Sequence, residues 1–109
     1  MLTNEIVEAL LKVIDEGIHV INTDGRTIFY NKVAAAHDGM EVEEVIGKHL
    51  LEAFPSLTAK SSTLLQVIEG GKPLYHQNQS YINKHGQTIE TINTTLPIYV
   101  NGELVGAVE

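Results

Sequence analysis

Cysteine and tryptophan are missing from this chain, and it holds three prolines and two phenylalanines. With no cysteine there is no disulfide framework, and the composition fits a reducing compartment. No stretch approaches the roughly 18 consecutive apolar residues that a membrane span needs. The N-terminus carries Glu5 and Glu8 instead of a basic segment, so no signal peptide is expected and the cytoplasm is the expected location. Positive charge is also scarce: seven Lys and Arg face fourteen Asp and Glu, a net charge of −7. Ten of those acids but only four of the bases lie in residues 1–54. A surface of that sign repels phosphate backbones, so no nucleic-acid contact is expected from this domain. Any DNA contact would come from another part of a longer protein.

What is present is ordinary globular material. At 109 residues the chain reads as one domain, able to bury roughly 65% of its unfolded surface. The apolar fraction of 43% and charged fraction of 19% are those of a folded protein. The most ordered signal is Asp15–Asn31. Ile18–Ile21 and Thr27–Tyr30 are β-prone runs, and Asp24-Gly25 between them supplies the positive φ of a hairpin. Before it, Thr3–Asp15 predicts an amphipathic helix with Ile6, Leu10, Val13 and Ile14 on one side, capped by Thr3 or Asn4. Val7 and Leu11 widen that apolar face, which points to two partners: the domain's own sheet and a second subunit. Ile6, Val7, Leu10, Leu11 and Ile14 are the dimerisation candidates.

After the hairpin the pattern predicts four helical pieces: Asn31–Asp38 stopped at Gly39, Glu41–Ile46, His49–Phe54 ended by Pro55, and Ser61–Glu69 capped by Ser61 or Ser62. Three strands follow, over Pro73–Asn83, Gln87–Ile98 and Leu104–Glu109, with Pro97 at a strand end or bulge. Asn101-Gly102 is the strongest hairpin signal in the chain. The implied architecture is α+β, a five-stranded antiparallel sheet with helices on one face. Residues 1–15 form a packing or dimerisation helix and residues 16–109 the domain proper.

No catalytic constellation emerges, and no enzyme activity is expected. His19, His37, His49, His76 and His85 are scattered without metal-ligand spacing. His37-Asp38 cannot pair as base and orienter, because neighbours on a helix point apart. Ser61 and Ser62 are better explained as caps than as nucleophiles. Gly39 to Gly47-Lys48 has seven residues between the glycines, with His49 in place of Ser or Thr, which is no P-loop.

In order along the chain, Gly17-Ile18, Asp24-Gly25, Asn31, Ala34-Ala35, Ile46-Gly47-Lys48, Phe54-Pro55, Gly86, Pro97-Ile98 and Gly102–Gly106 resemble the succession of motifs in a PAS domain. The resemblance covers about residues 15–109. More narrowly, D-E-G-I-H-V-I-N, I-G-K-H-L-L-E-A-F-P-S-L, G-G-K-P-L-Y and T-I-N-T-T-L-P-I-Y-V-N-G resemble the N-terminal sensory domain of sigma-54-dependent activators of the arginine-utilisation (RocR-like) group. That resemblance implies a sensor whose ATPase and helix-turn-helix modules lie outside this sequence, which stops before the D-I-T motif at the family's exit to a signalling helix. It implies a bacterial regulator and, as ligand, an amino acid such as arginine, ornithine or citrulline. Among the family's cofactors, a flavin photoadduct needs a cysteine, and none is present. Haem-binding members commonly use a histidine on the long helix, and Ser61–Gly70 has none. Neither cofactor is expected, which leaves a small polar metabolite as the ligand class.

The polarity of the late strands is the positive sign of a site. Tyr75, Gln77, Gln79 and Tyr81 alternate onto one face of their strand, and Thr91, Asn93 and Thr95 onto one face of the next. If either face points inward, its amides and hydroxyls need partners that a ligand or water would supply. If they point outward, they are solvated or dimer-facing. The ligand-binding candidates are therefore Tyr75, Gln77, Gln79, Thr91 and Asn93, with Tyr30 and Phe54 as apolar walls. A ligand-free dimerisation module is the alternative reading.

Overall fold

In the structure, a computed structural model that describes residues 2–109, two hairpins and a final strand make one antiparallel sheet. The strands are β1 (His19–Asn22), β2 (Thr27–Tyr30), β3 (Leu74–Ile82), β4 (Thr88–Val100) and β5 (Glu103–Val108), in the order β2-β1-β5-β4-β3. Between β2 and β3 run α2 (Lys32–Asp38), α3 (Val42–Val45), α4 (Leu50–Ala53) and α5 (Thr63–Gly70). The helix α1 (Asn4–Val13) precedes the sheet. This is the α+β architecture that the sequence pattern predicts.

Local chemistry sets the joints. The Asn22 side-chain oxygen accepts from the Asp24 and Arg26 amides, closing the first turn around Gly25. Asn101 and Gly102, at φ 51° and 82°, form the primed turn that matches the twist of β4 and β5. Asn31 caps α2 by accepting from Ala34 N, and the same oxygen accepts from Ile18 N, which ties the helix to the entry of β1. Ser62 caps α5 by accepting from Leu65 N. Pro97 lies inside β4 and not at its end. It sits past the last β3 partner, at Thr95, so its missing N–H costs no ladder bond there.

The core lies between the sheet and α2–α5. Ile21, Val45 and Ala107 are fully enclosed, with Leu50, Leu64, Val67 and Phe54 packed around them. β5 passes β1 so closely that a Cβ on Gly106 would run into the Ile21 carbonyl oxygen. Only glycine lets these two backbones meet without displacement.

None of the residues of α1 is buried. Leu11 is half-buried; with Glu8 and Ile14 it lines a groove whose other side is Phe29, Val33 and Met40. Ile6, Val7, Leu10 and Val13 remain exposed. An amphipathic stripe fixes that a helix has an apolar partner, but not which surface provides it.

Candidate ligand-binding cavity

A cavity of about 270 Å³ opens between the helices and the far end of the sheet. It lies just under the roughly 300–1,000 Å³ of sites that enclose drug-sized ligands, a size suited to a small metabolite. Its floor is the inner face of the sheet, with Gln79 and Tyr81 from β3 and Thr91 and Asn93 from β4. Leu50, Phe54, Leu57 and Leu64 give it an apolar wall. His19, Asp38 and Glu109 complete it, with Glu16 and His37 on the exposed side.

Asp38 is the polar centre of one side. It lies on the buried face of α2 with Ala34 and Ala35, because residue 38 follows residue 34 by one helical turn. Both of its carboxyl oxygens accept hydrogen bonds, from the Tyr30 hydroxyl and from the Tyr81 hydroxyl. Burial pushes the Asp38 carboxyl above its ordinary range, while the two tyrosine donors and the nearby His37 pull it back. Burial and the Asp38 carboxyl together raise both phenols.

Glu109 faces it from the end of β5, two residues after the enclosed Ala107 and so on the same inner face. Its carboxyl pairs with the Thr63 hydroxyl at the start of α5. The Thr63 hydroxyl also lies 2.9 Å from Gln79 Oε1, and the Thr63 amide donates to that same oxygen at 3.3 Å. The backbone N–H fixes Oε1 as the atom present there. The single hydroxyl proton of Thr63 stands between two acceptors, Gln79 Oε1 and the Glu109 carboxyl. Burial, reinforced by the negative charge of Asp38, raises the Glu109 carboxyl, and the Thr63 contact opposes it.

His19 is buried against Tyr30 and Phe54, with ring centroids 4.9 and 5.9 Å away. Its Nε2 lies 2.7 Å from the Thr27 hydroxyl. Burial lowers its pKa to about 4, so it is neutral near pH 7. The Thr91 hydroxyl oxygen is buried with no hydrogen-bond partner in the protein, whereas the equally buried Thr95 hydroxyl lies against the Glu109 carboxyl and helps to lower its pKa.

The structure thus brings Phe54, Gln79, Thr91 and Asn93 together on one cavity, and separates three other candidates from it. Tyr75 is 58% exposed because a bulge intervenes: the β3–β4 register slips between Leu74 and Gln77, where His76 takes φ 52°. The extra residue puts Leu74, not Tyr75, in line with Gln79 and Tyr81. Gln77 keeps the phase of Gln79 but is exposed beyond the cavity. Tyr30 stands behind the cavity and holds Asp38 instead of forming a wall. Two groups escaped the sequence reading, Asp38 and Glu109. An acid on the Ala34–Ala35 face of a helix and an acid in phase with Ala107 were the available signals.

Among the described residues, no cluster of His, Asp or Glu has the geometry to hold a metal, and no helix is long and apolar enough to cross a membrane.

A protein-family model described as PAS fold (PAS_4) matches residues 11–109. The chain is 39% identical over 104 residues to the transcriptional activator RocR of Bacillus subtilis (strain 168), an alignment covering 95% of this chain and 23% of RocR. It therefore spans under a quarter of that relative's length. Among solved structures, it is similar to the PAS domain of a Colwellia psychrerythraea protein, with a TM-score of 0.74 and 21% identity over 94% of this chain and 92% of that one. The PAS domain of Bordetella pertussis BvgS gives a TM-score of 0.72 and 22% identity over 95% and 80% of the two chains. A chain of the E. coli DhaR(N)–DhaL complex gives 0.70 and 23% over 95% and 34%. These distant likenesses carry the fold alone, while the family match extends from within α1 to the last residue of the cavity. The chain is a member of the PAS-fold family, related in sequence to part of a transcriptional activator.

Proposed function

We propose that this PAS domain is the sensory module of a cytoplasmic bacterial transcriptional activator, and that it binds a small polar metabolite between its helices and its sheet. The observation that carries the reading is Thr91, a residue of the cavity floor whose buried hydroxyl has no partner in the protein. A buried hydroxyl left unpaired costs about 1–3 kcal/mol, and a ligand that bonds to it recovers that cost. The relationship to RocR supports an output in transcription, and the motif resemblance set out above implies an amino acid such as arginine or ornithine as the ligand class. Phe54, Gln79, Thr91 and Asn93 are the contacts this reading assigns.

Signal transfer follows from position. Gln79 on β3 and Glu109 after β5 both meet Thr63 of α5, so a ligand touching either changes how α5 sits on the sheet. That shifts a two-state equilibrium which the attached output module reads. A thermal-shift screen of amino acids tests direct sensing, since a ligand at 100 times its Kd adds about 2.7 kcal/mol of stability. No stabilisation by any amino acid at millimolar concentration rejects it.

A second reading, a dimerisation module without ligand, is favoured by the exposed apolar stripe of α1, where Leu10 is 51% and Val13 82% exposed. In both readings a homodimer forms through Ile6, Val7, Leu10, Leu11 and Ile14. Sedimentation of Val7→Asp and Leu11→Asp variants is expected to show monomers where the parent is dimeric. A parent that is already monomeric at high concentration rejects the dimer.

A further inference from the structure

His19 lines the cavity from β1, yet its ring makes only one of the two hydrogen bonds open to an imidazole. The residue is 7% exposed, and burial keeps the ring neutral near pH 7, with a pKa of about 4. A neutral imidazole has one N–H and one bare nitrogen, and its partners decide which is which. Nε2 lies 2.7 Å from the Thr27 hydroxyl, while Nδ1 bonds to no described residue. Nor is Nδ1 among the side-chain atoms that the packing seals from solvent without a partner. The open space it reaches is the cavity that the ring lines.

Thr27 sets the tautomer. It is 1% exposed, and among the described residues its hydroxyl has no partner besides His19. Were Nε2 protonated, Thr27 would accept that proton and leave its own buried and unpaired, which is costly. With Thr27 donating to a bare Nε2, both groups are satisfied except for Nδ1–H, which faces the cavity. The ring is also held in place, since Tyr30 and Phe54 flank it with centroids 4.9 and 5.9 Å away. A donor fixed in tautomer and orientation is preorganised for an acceptor at one position. No Lys or Arg lines this cavity, and the Tyr81 hydroxyl is given to Asp38. An oxygen of a bound molecule beside β1 therefore meets a neutral donor.

We propose that His19 orients the cavity's ligand: locked by Thr27 as its Nδ1–H tautomer, it donates a hydrogen bond to a carbonyl or carboxylate oxygen of the bound metabolite. The assignment rests on the metabolite reading above and adds to it the residue that receives the ligand's oxygen end.

The tautomer is read first, with no ligand added, from long-range proton–nitrogen correlation spectra of the isotope-labelled protein near neutral pH. His19, identified by the signals lost in His19→Gln, is expected to show a protonated Nδ1 and a bare Nε2. A protonated Nε2 overturns the proposal. Titration calorimetry with arginine and with agmatine (arginine without its carboxylate) then reads the contact. Arginine is expected to bind about tenfold tighter than agmatine. His19→Asn puts an amide nitrogen where Nδ1 stood and should keep most of that preference. His19→Gln puts one where Nε2 stood and should lose severalfold of it. An undiminished preference in folded His19→Gln, or an equal loss in both variants, overturns the role of Nδ1. Agmatine binding as tightly as arginine overturns the assignment and leaves the metabolite reading standing. If neither probe binds, the metabolite reading for this class falls, and the assignment falls with it. Where a variant fails to fold, the tautomer and the wild-type ratio decide.

Discussion

Ile21, Val45 and Ala107 belong to a cluster of buried apolar side chains, whereas around Asp38 and Glu109 the same interior holds acids, phenols and the unpartnered hydroxyl of Thr91. The two neighbourhoods share strands: Ala107 and Glu109 lie two residues apart on β5 and its extension. The first is packed so that any change of volume is felt. The second forgoes packing for polar groups whose partners the fold does not fully supply. Stability and recognition are thus divided along single strands, and substitutions in the two places should behave differently.

The largest expected contrast is in the apolar part. Ile21→Ala, at a fully enclosed position, should cost about 2–5 kcal/mol in urea denaturation. An effect below about 1 kcal/mol would show that the two neighbourhoods are not distinct.

Acid sharpens the comparison next, through His19, which borders both. Its pKa is about 4 in the fold against 6.5 in the unfolded chain, so between those values the unfolded state binds more protons. His19's contribution is therefore complete above about pH 6.5 and lost as pH falls toward 4, about 3 kcal/mol in all. Asp38 and Glu109 have the opposite sign. Their raised pKa values mean that the fold holds protons the unfolded chain has released, so stability falls as pH rises through their folded values. Denaturation midpoints from pH 4 to 7.5 should lose most of the acid-side slope in His19→Gln, and an unchanged slope would assign it elsewhere.

Gly106→Ala comes third. Its Cβ would meet the Ile21 carbonyl, forcing β5 from β1 at a cost of about 1–3 kcal/mol, read as a lowered Tm. Smallest in size but most telling in sign is Thr91→Val. Replacing an unpartnered buried hydroxyl should leave stability unchanged or raise it by up to about 1 kcal/mol, while weakening the binding of whichever amino acid stabilises the wild type in the thermal-shift screen. A clear loss of stability would return Thr91 to the structural half of the comparison.

Most of the fold was legible because its signals are local. Asp24-Gly25 and Asn101-Gly102 specify turns by backbone conformation, and Asn31 and Ser62 specify helix starts through one side-chain oxygen each. The inward polarity of Gln79, Thr91 and Asn93 was legible as alternation, although which face was inward was not. Tyr75 was misplaced because a bulge at His76 changes the phase, and no residue type announces that slip. Asp38 was hidden by its neighbour: beside His37 it reads as solvent-facing, and only the orientation of α2 turns it inward. The docking of α1 was illegible for a different reason, since amphipathicity leaves the partner unspecified.

The placement of β5 has a consequence for how the chain acquires its structure. β5, the fifth of the domain's strands in chain order, is the central one of the sheet, and it pairs with β1 and β4. Until residues 103–108 are made, the chain holds two separate hairpins, each presenting an open edge. Assembly therefore waits on contacts of long sequence separation, Val20 with Val108 among them, which are formed slowly. Nascent chains stalled before Val105 should accordingly be protease-sensitive throughout, and protection should arrive for both hairpins in one step.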